Sequence, residues 1–261
     1  MLIISKSNGE SVEASPEIVL FDKDGTLIDI HHYWSSMLKL RGALIVDKWF
    51  RNHSEKKSIE RDLIDSMGVD LSSGKIKSEG PVGIKSRNFI VNIASNVVRA
   101  NGMPIENTDM EDIFLKIDTN TSSNMIPLLK LLPGALNLLQ NLQNMNILMA
   151  VVSNDITSRT VLALKTLKIN NFFTEILGGD AVKNNKPSSD LALLVSKNTG
   201  IKVNKMMVIG DNPVDIQMGL SANISLNVAV LTGLSDENSF NDLSCMVIKD
   251  LKSIEVENVK K

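Results

Sequence analysis

The chain has 261 residues, enough to bury a substantial core as one large domain or two unequal ones. Its 28 Lys and Arg nearly balance 30 Asp and Glu, which excludes the broad basic surface that gathers nucleic acid or anionic lipid. One cysteine, Cys245, excludes an internal disulfide; with no Cys or His companion at zinc spacing it reads as a core thiol in a reducing compartment.

The first segment, MLIISKSNGESVEASPEIV, has four apolar residues before polar ones begin, too few for the apolar stretch of a secretory signal. No later run reaches the roughly 18 apolar residues that span a bilayer. The expectation is a cytoplasmic protein, monomer or homodimer, with no membrane or nucleic-acid partner. Ile18 to Phe21 then form an apolar run that reads as a buried strand. From 30 to about 126 the pattern is helical: YWSSMLKLRGALIVDKWF and KSIERDLIDSMG carry apolar residues at three- and four-residue intervals. A Gly-, Ser- and Lys-rich connector, VDLSSGKIKSEGPVG, separates these from RNFIVNIASNVVRANGMP and NTDMEDIFLKIDTN.

From residue 127 short apolar runs alternate with helix-length segments. NILMAVVS precedes a helix from Thr157 to Leu167, FFTEILGG a helix opening at Pro187, and KMMVIGD a short helix from Pro213 to Ser221; SLNVAVLTG and CMVIKD follow. Such alternation indicates βαβ units and a parallel sheet, which the strand at 18 to 22 must join to bury both its faces. The predicted fold is α/β: a Rossmann-like parallel-sheet core from residues 1–29 and 127–261, with residues 30–126 inserted as a helical cap.

Open parallel sheets bind ligands beyond the carboxyl ends of their strands. Beyond the first strand lie Asp22 and Asp24; beyond ILMAVV lie Ser153, Asn154 and Asp155; beyond MMVI lie Gly210, Asp211 and Asp215; and Lys186 precedes the helix at Pro187. Carboxylates so grouped repel one another unless they hold a hard divalent cation with oxygen ligands, and Mg²⁺ shares such ligands with substrate phosphate. A phosphate there would meet Lys186, the Ser153 hydroxyl with Asn154 beside it, and backbone N–H groups of the loop from Lys23 to Gly25. One carboxylate could then attack phosphorus, and the second could protonate the leaving oxygen and deprotonate water.

FDKDGTL, VVSND, NKP and GDNPVD resemble, in order and spacing, the four motifs of the haloacid dehalogenase-like hydrolase superfamily. LLPGALNLLQNLQ, GGD and VLTG are similar to its phosphoglycolate phosphatase-like branch, and the resemblance covers residues 17 to about 235. It implies Asp22 as nucleophile and Asp24 as general acid/base. It implies Mg²⁺ on Asp22, the Asp24 carbonyl and Asp211, with Thr26 and Asp215 in support. Ser153 would bond the transferred phosphoryl group, Lys186 would neutralise it, and the cap would close over a small substrate. Asp at position 24 points to phosphate-ester hydrolysis rather than dehalogenation. A sugar phosphomutase keeps both carboxylates and stays open, as does a non-catalytic binding module on the same fold.

Other features carry less. GVDLSSGKI has one residue too many between its glycines for a phosphate-binding loop, and Ile76 stands where Ser or Thr should hold the metal, so it reads as a linker. His31 and His32 are adjacent and point apart on a helix, without partners at ligand spacing; they read as structural or solvated, with contact to the leaving group as the alternative. Trp34 and Trp49 read as cap core. Arg41, Arg51, Lys56, Lys57 and Arg61 read mostly as a solvated helix face, from which one could bind an anionic substrate tail.

Overall fold

The computed structural model describes residues 1–82, 87–122 and 128–256. Three short strands open the chain, β1 (Leu2–Ser5), β2 (Ser11–Ala14) and β3 (Ile18–Phe21). Four helices follow: α1 (Ile30–Trp49), α2 (Lys56–Ser66), α3 (Arg87–Ala100) and α4 (Asn107–Ser122). Then come α5 (Ala135–Asn144), β4 (Leu148–Val152), α6 (Thr157–Thr166), β5 (Glu175–Leu177), α7 (Asp190–Thr199), β6 (Met206–Gly210), α8 (Pro213–Ser221), β7 (Leu226–Val230), β8 (Met246–Ile248) and β9 (Ile254–Val256). The chain divides into two compact units, one of Met1–Asp29 with the chain from Leu129 onward, the other of Ile30–Leu128. Among the described residues no helix is long and apolar enough to cross a membrane.

The first unit is an α/β fold on a six-stranded sheet, order β5-β4-β3-β6-β7-β8, with every neighbouring pair parallel. All four residues of β3, Ile-Val-Leu-Phe, are buried, as both faces of a covered central strand require. On one face Ile18 and Leu20 join Ala150, Val152, Met206 and Val208 beneath Leu191, Ala192 and Val195 of α7 and Met218 of α8. Each Val, Leu, Ile and Met side chain among these contributes about 1.5–3 kcal/mol by leaving water. The helix expected to open at Pro187 begins at Asp190, because residues 187–189 form a turn first.

The chain from β3 runs to β4 on one side and returns through β6 on the other, so β3 is the point where strand order reverses. Register follows directly: Phe21 pairs with both Val151 and Ile209. The residues after these pairs therefore emerge within about one strand residue, roughly 3.3 Å, of a common level.

A second sheet, order β2-β1-β9, is antiparallel and joins the two ends of the described chain, with Leu2 opposite both Ala14 and Val256. Sequence periodicity gave no sign of it. Cys245 is half-buried rather than enclosed, packed beside the cluster of Ile216, Ala229 and Phe240.

The second unit contains α1 to α4, whose buried faces include Met37, Leu38 and Ile45 of α1 and Ile113, Phe114 and Ile117 of α4. Arg41 departs from its expected solvated position. It is 4 % exposed, its guanidinium stacks 4.2 Å from the Phe114 ring centre, and it bonds Asp118 at 3.1 Å. An aromatic face and a carboxylate together compensate a guanidinium for lost water, and apolar residues one turn away cannot reveal that pairing. Trp34 and Trp49 are half-buried. In the linker, Asp70 accepts hydrogen bonds from Ser72 and Ser73, and these hold its carboxyl down at about 2.

Candidate active site

The four loops named from sequence meet at the carboxyl end of β3, β4 and β6, all within the α/β unit. Asp22 continues the ladder, its N–H donating to the Ile209 carbonyl at 2.9 Å. Lys186 reaches it from the loop before α7, with Nζ 2.7 Å from Asp22 Oδ1 and 2.7 Å from Asp215 Oδ1. The Lys186 side chain is 1 % exposed. An ammonium stripped of water to this extent is tolerable only between opposite charges, and its pKa is raised by Asp215 and Asp22 against the opposing effect of burial.

Asp215 is held as firmly as it holds. Its Oδ2 accepts from the Asn212 N–H, while the Asn212 side chain accepts from Val214 N–H, which closes a capping box at the start of α8. With one oxygen on the helix start and the other on Lys186, Asp215 aims the lysine.

Asn154, expected against the phosphate, is engaged at both ends of its amide by the Lys186 backbone: Oδ1 accepts from Lys186 N–H at 3.0 Å and Nδ2 donates to Lys186 O at 3.3 Å. It fixes the lysine loop to the end of β4. Ser153 is buried, and its Oγ accepts from Asp155 N–H at 3.1 Å, which leaves its own hydrogen to donate.

Gly25 also differs from expectation. Its N–H donates to the Ile28 carbonyl at 2.7 Å and so does not face a phosphate. The residue instead makes room: at φ +85° it adopts a conformation side chains avoid, and a Cβ there would fall 2.4 Å from Asp211 Oδ2. Gly233 does the same from the loop after β7, where a Cβ would lie 1.6 Å from the same oxygen. Asp211 is thus seated between two bare backbones, with Thr26 Oγ1 at a long 3.5 Å from its Oδ1. Thr232 braces the seat by donating to Gly25 O at 2.6 Å. VLTG contains both Thr232 and Gly233, but the sequence offered no role for either.

Desolvation pushes the Asp211 carboxyl well above the ordinary range, with the nearby Asp22 and Asp215 charges adding to it. Asp22 is pushed up to about 6: desolvation raises it most, Lys186 opposes, and Asp215 adds. Asp22, Asp211 and Asp215 each offer a carboxylate oxygen within 4.8 Å of the others. Lys186 is the one cation hydrogen-bonded among these three carboxylates in the described residues, so negative charge is in surplus. A hard divalent cation fits that surplus and that donor type.

The second aspartate has its own lysine, which sequence reasoning passed over. Lys23 Nζ lies 2.8 Å from Asp24 Oδ2 and 3.0 Å from Asp155 Oδ2. Burial raises the Asp24 carboxyl, with Lys23 opposing.

The protein-family model for haloacid dehalogenase-like hydrolases matches residues 82–229, more than half of the chain. The chain belongs to that family. Within it the chain falls in the phosphoglycolate phosphatase-like branch and is an enzyme of the phosphatase type. A phosphoglycolate phosphatase of Pseudomonas putida is 26% identical over 248 residues, covering 92% of this chain and 78% of that protein. A pyrophosphatase of Oceanobacillus iheyensis is 27% identical over 60% of this chain and 77% of its own length. Among solved structures, a Thermotoga maritima protein described as a candidate beta-phosphoglucomutase shares the fold, with a TM-score of 0.63 and 19% identity over 90% of this chain and 94% of that one. The family match begins at residue 82, so the loop with Asp22 and Asp24 stands on its own geometry and on the longer alignments.

Proposed function

We propose that the protein is a cytoplasmic, Mg²⁺-dependent phosphatase of a small phosphomonoester, acting through an aspartyl-phosphate on Asp22. One observation carries this reading: two carboxylates two residues apart at the end of the central strand, each paired with its own buried lysine, beside a third carboxylate without one. The names of the relatives make phosphoglycolate the first ester to test.

Asp22, Asp211 and the Asp24 carbonyl would hold Mg²⁺, which supplies positive charge to phosphoryl oxygens when bound. The chain's own groups then divide the work. Lys186, on Asp22 Oδ1, orients the nucleophile and offers charge to the incoming phosphoryl group. The free hydrogen of Ser153 donates to a phosphoryl oxygen. As Asp22 bonds to phosphorus the ester P–O bond breaks, and its electron pair goes to the leaving oxygen, which takes a proton from Asp24. Water then attacks the aspartyl-phosphate, Asp24 takes its proton, and Asp22 is released with inorganic phosphate.

The test is phosphate release from phosphoglycolate, sugar phosphates and nucleoside monophosphates, with Mg²⁺ and with EDTA. Release by wild type in Mg²⁺ alone is expected, with Asp22→Asn slower by about 10⁴-fold or more. Isomerised sugar phosphate with little free phosphate would replace the reading with a phosphomutase, and absence of all turnover would leave a binding module.

A further inference from the structure

Lys23 stands between the two aspartates in sequence, and the catalytic steps above do not use it. Its side chain is 4 % exposed, and its ammonium bridges Asp24 Oδ2 to Asp155 Oδ2 across 132 residues of chain. Burying an ammonium is unfavourable unless its partners are fixed. Asp155 is fixed: its N–H donates to Ser153 Oγ, its carbonyl accepts from Gly179 N–H at 2.8 Å, and its Oδ1 accepts from Ile156 N–H at 2.8 Å. Asp24 is fixed through one oxygen alone. Its Oδ1 is buried and has no hydrogen-bond partner among the described residues, an arrangement that is costly unless a ligand atom completes it.

We propose that Lys23, anchored by Asp155, is a positioning residue that locks Asp24 Oδ2 and presents Oδ1 to the leaving oxygen. The inference rests on the phosphatase reading above. An ammonium hydrogen-bonded to Oδ2 keeps the proton off that oxygen, so protonated Asp24 carries it on Oδ1. In the first step that proton passes to the departing alkoxide as the Asp22–phosphorus bond forms and the ester bond breaks. In the second, Oδ1 takes it back from the attacking water.

A structural tie between two loops would slow every substrate alike, whereas a device for aiming an acid matters only where the leaving oxygen needs a proton. Alkoxides need one; p-nitrophenolate leaves without it. The measurement is kcat/KM, which reports the first phosphoryl transfer, for p-nitrophenyl phosphate and for phosphoglycolate or the best alkyl ester of the panel. Lys23→Met should lower the alkyl value about 10- to 100-fold and the nitrophenyl value by less than about threefold. Asp155→Asn, which keeps the ammonium but removes its anchor, should show the same selectivity to a smaller degree, and carries the test if Lys23→Met does not fold. Equal losses on both esters, or no loss on either, would overturn the proposal while leaving the phosphatase reading in place. A wild type inert toward both would remove the reading and the inference with it.

Discussion

Lys186 and Lys23 are both buried ammonium groups between two carboxylates, but they arrive differently and meet different surroundings. Lys186 comes from a loop more than 160 positions away from Asp22 and has a third carboxylate, Asp211, nearby that it does not bond. Lys23 is the immediate neighbour of Asp24 and bridges it to Asp155, whose other oxygen lies 3.6 Å from the Arg159 guanidinium, so two carboxylates there meet two cations. A surplus of negative charge marks a place for a cation. Balanced charge with one idle oxygen marks a place for a proton donor.

The comparison can be broken at several points. Asp22→Asn heads the scale of effects, as given above. Lys186→Met comes next: it leaves Asp22 and Asp215 buried without a counter-charge, so kcat/KM should fall about 10²- to 10³-fold on alkyl and nitrophenyl esters alike. Stability should fall by about 3–5 kcal/mol, read from urea unfolding. A selective loss on alkyl esters would erase the distinction between the two lysines.

Metal-free stability tests the surplus directly. Because the Asp22 carboxyl sits at about 6 when folded against an ordinary 3.8, the folded state holds its proton more tightly than the unfolded one. Its contribution is therefore lost as pH rises from about 4 through 6, amounting to about 3 kcal/mol by pH 7. Thermal unfolding in EDTA should show wild type losing ground to Asp22→Asn over that window, with added Mg²⁺ restoring wild type most at the upper end. Parallel profiles would contradict it. The smallest change is Gly233→Ala, whose methyl group would collide with Asp211. Apparent Mg²⁺ affinity should weaken about 10- to 100-fold, measured as the Mg²⁺ concentration for half-maximal activity.

Much of the fold was legible because the central strands are continuous apolar runs. Ile18–Phe21 and Met206–Gly210 stand out against any background, and α8 begins at Pro213 after an Asn cap, where the sequence put it. The strands β1, β2 and β9 were not legible: each has three or four residues, and β2 alternates partly buried with exposed positions in Ser-Val-Glu-Ala. At the site, residue type and placement beyond strand ends brought the right loops together. What the loops do with each other was hidden. The Asn154 amide could not be seen to clasp the Lys186 backbone, nor Lys23 to pair with Asp155, because such bonds depend on side-chain direction between loops 32 and 132 residues apart. Arg41 was misjudged for the same reason, since its partners lie on α4.

The position of β3 also governs how the molecule is assembled. Ile18 pairs with Leu148 and Met206, so the central strand is made early in the chain and acquires its neighbours about 130 and 190 residues later. Closing such loops costs entropy before any contact repays it, and folds dominated by distant pairings form slowly. During synthesis β3 must wait, apolar and with unsatisfied edges, until the whole helical insertion and then β4 and β6 have emerged. The helical unit has all of its helices in hand by then. Asp22, Lys186 and Asp211 therefore come together as a set late in folding, and a truncated chain that ends before β6 carries the first motif without its partners.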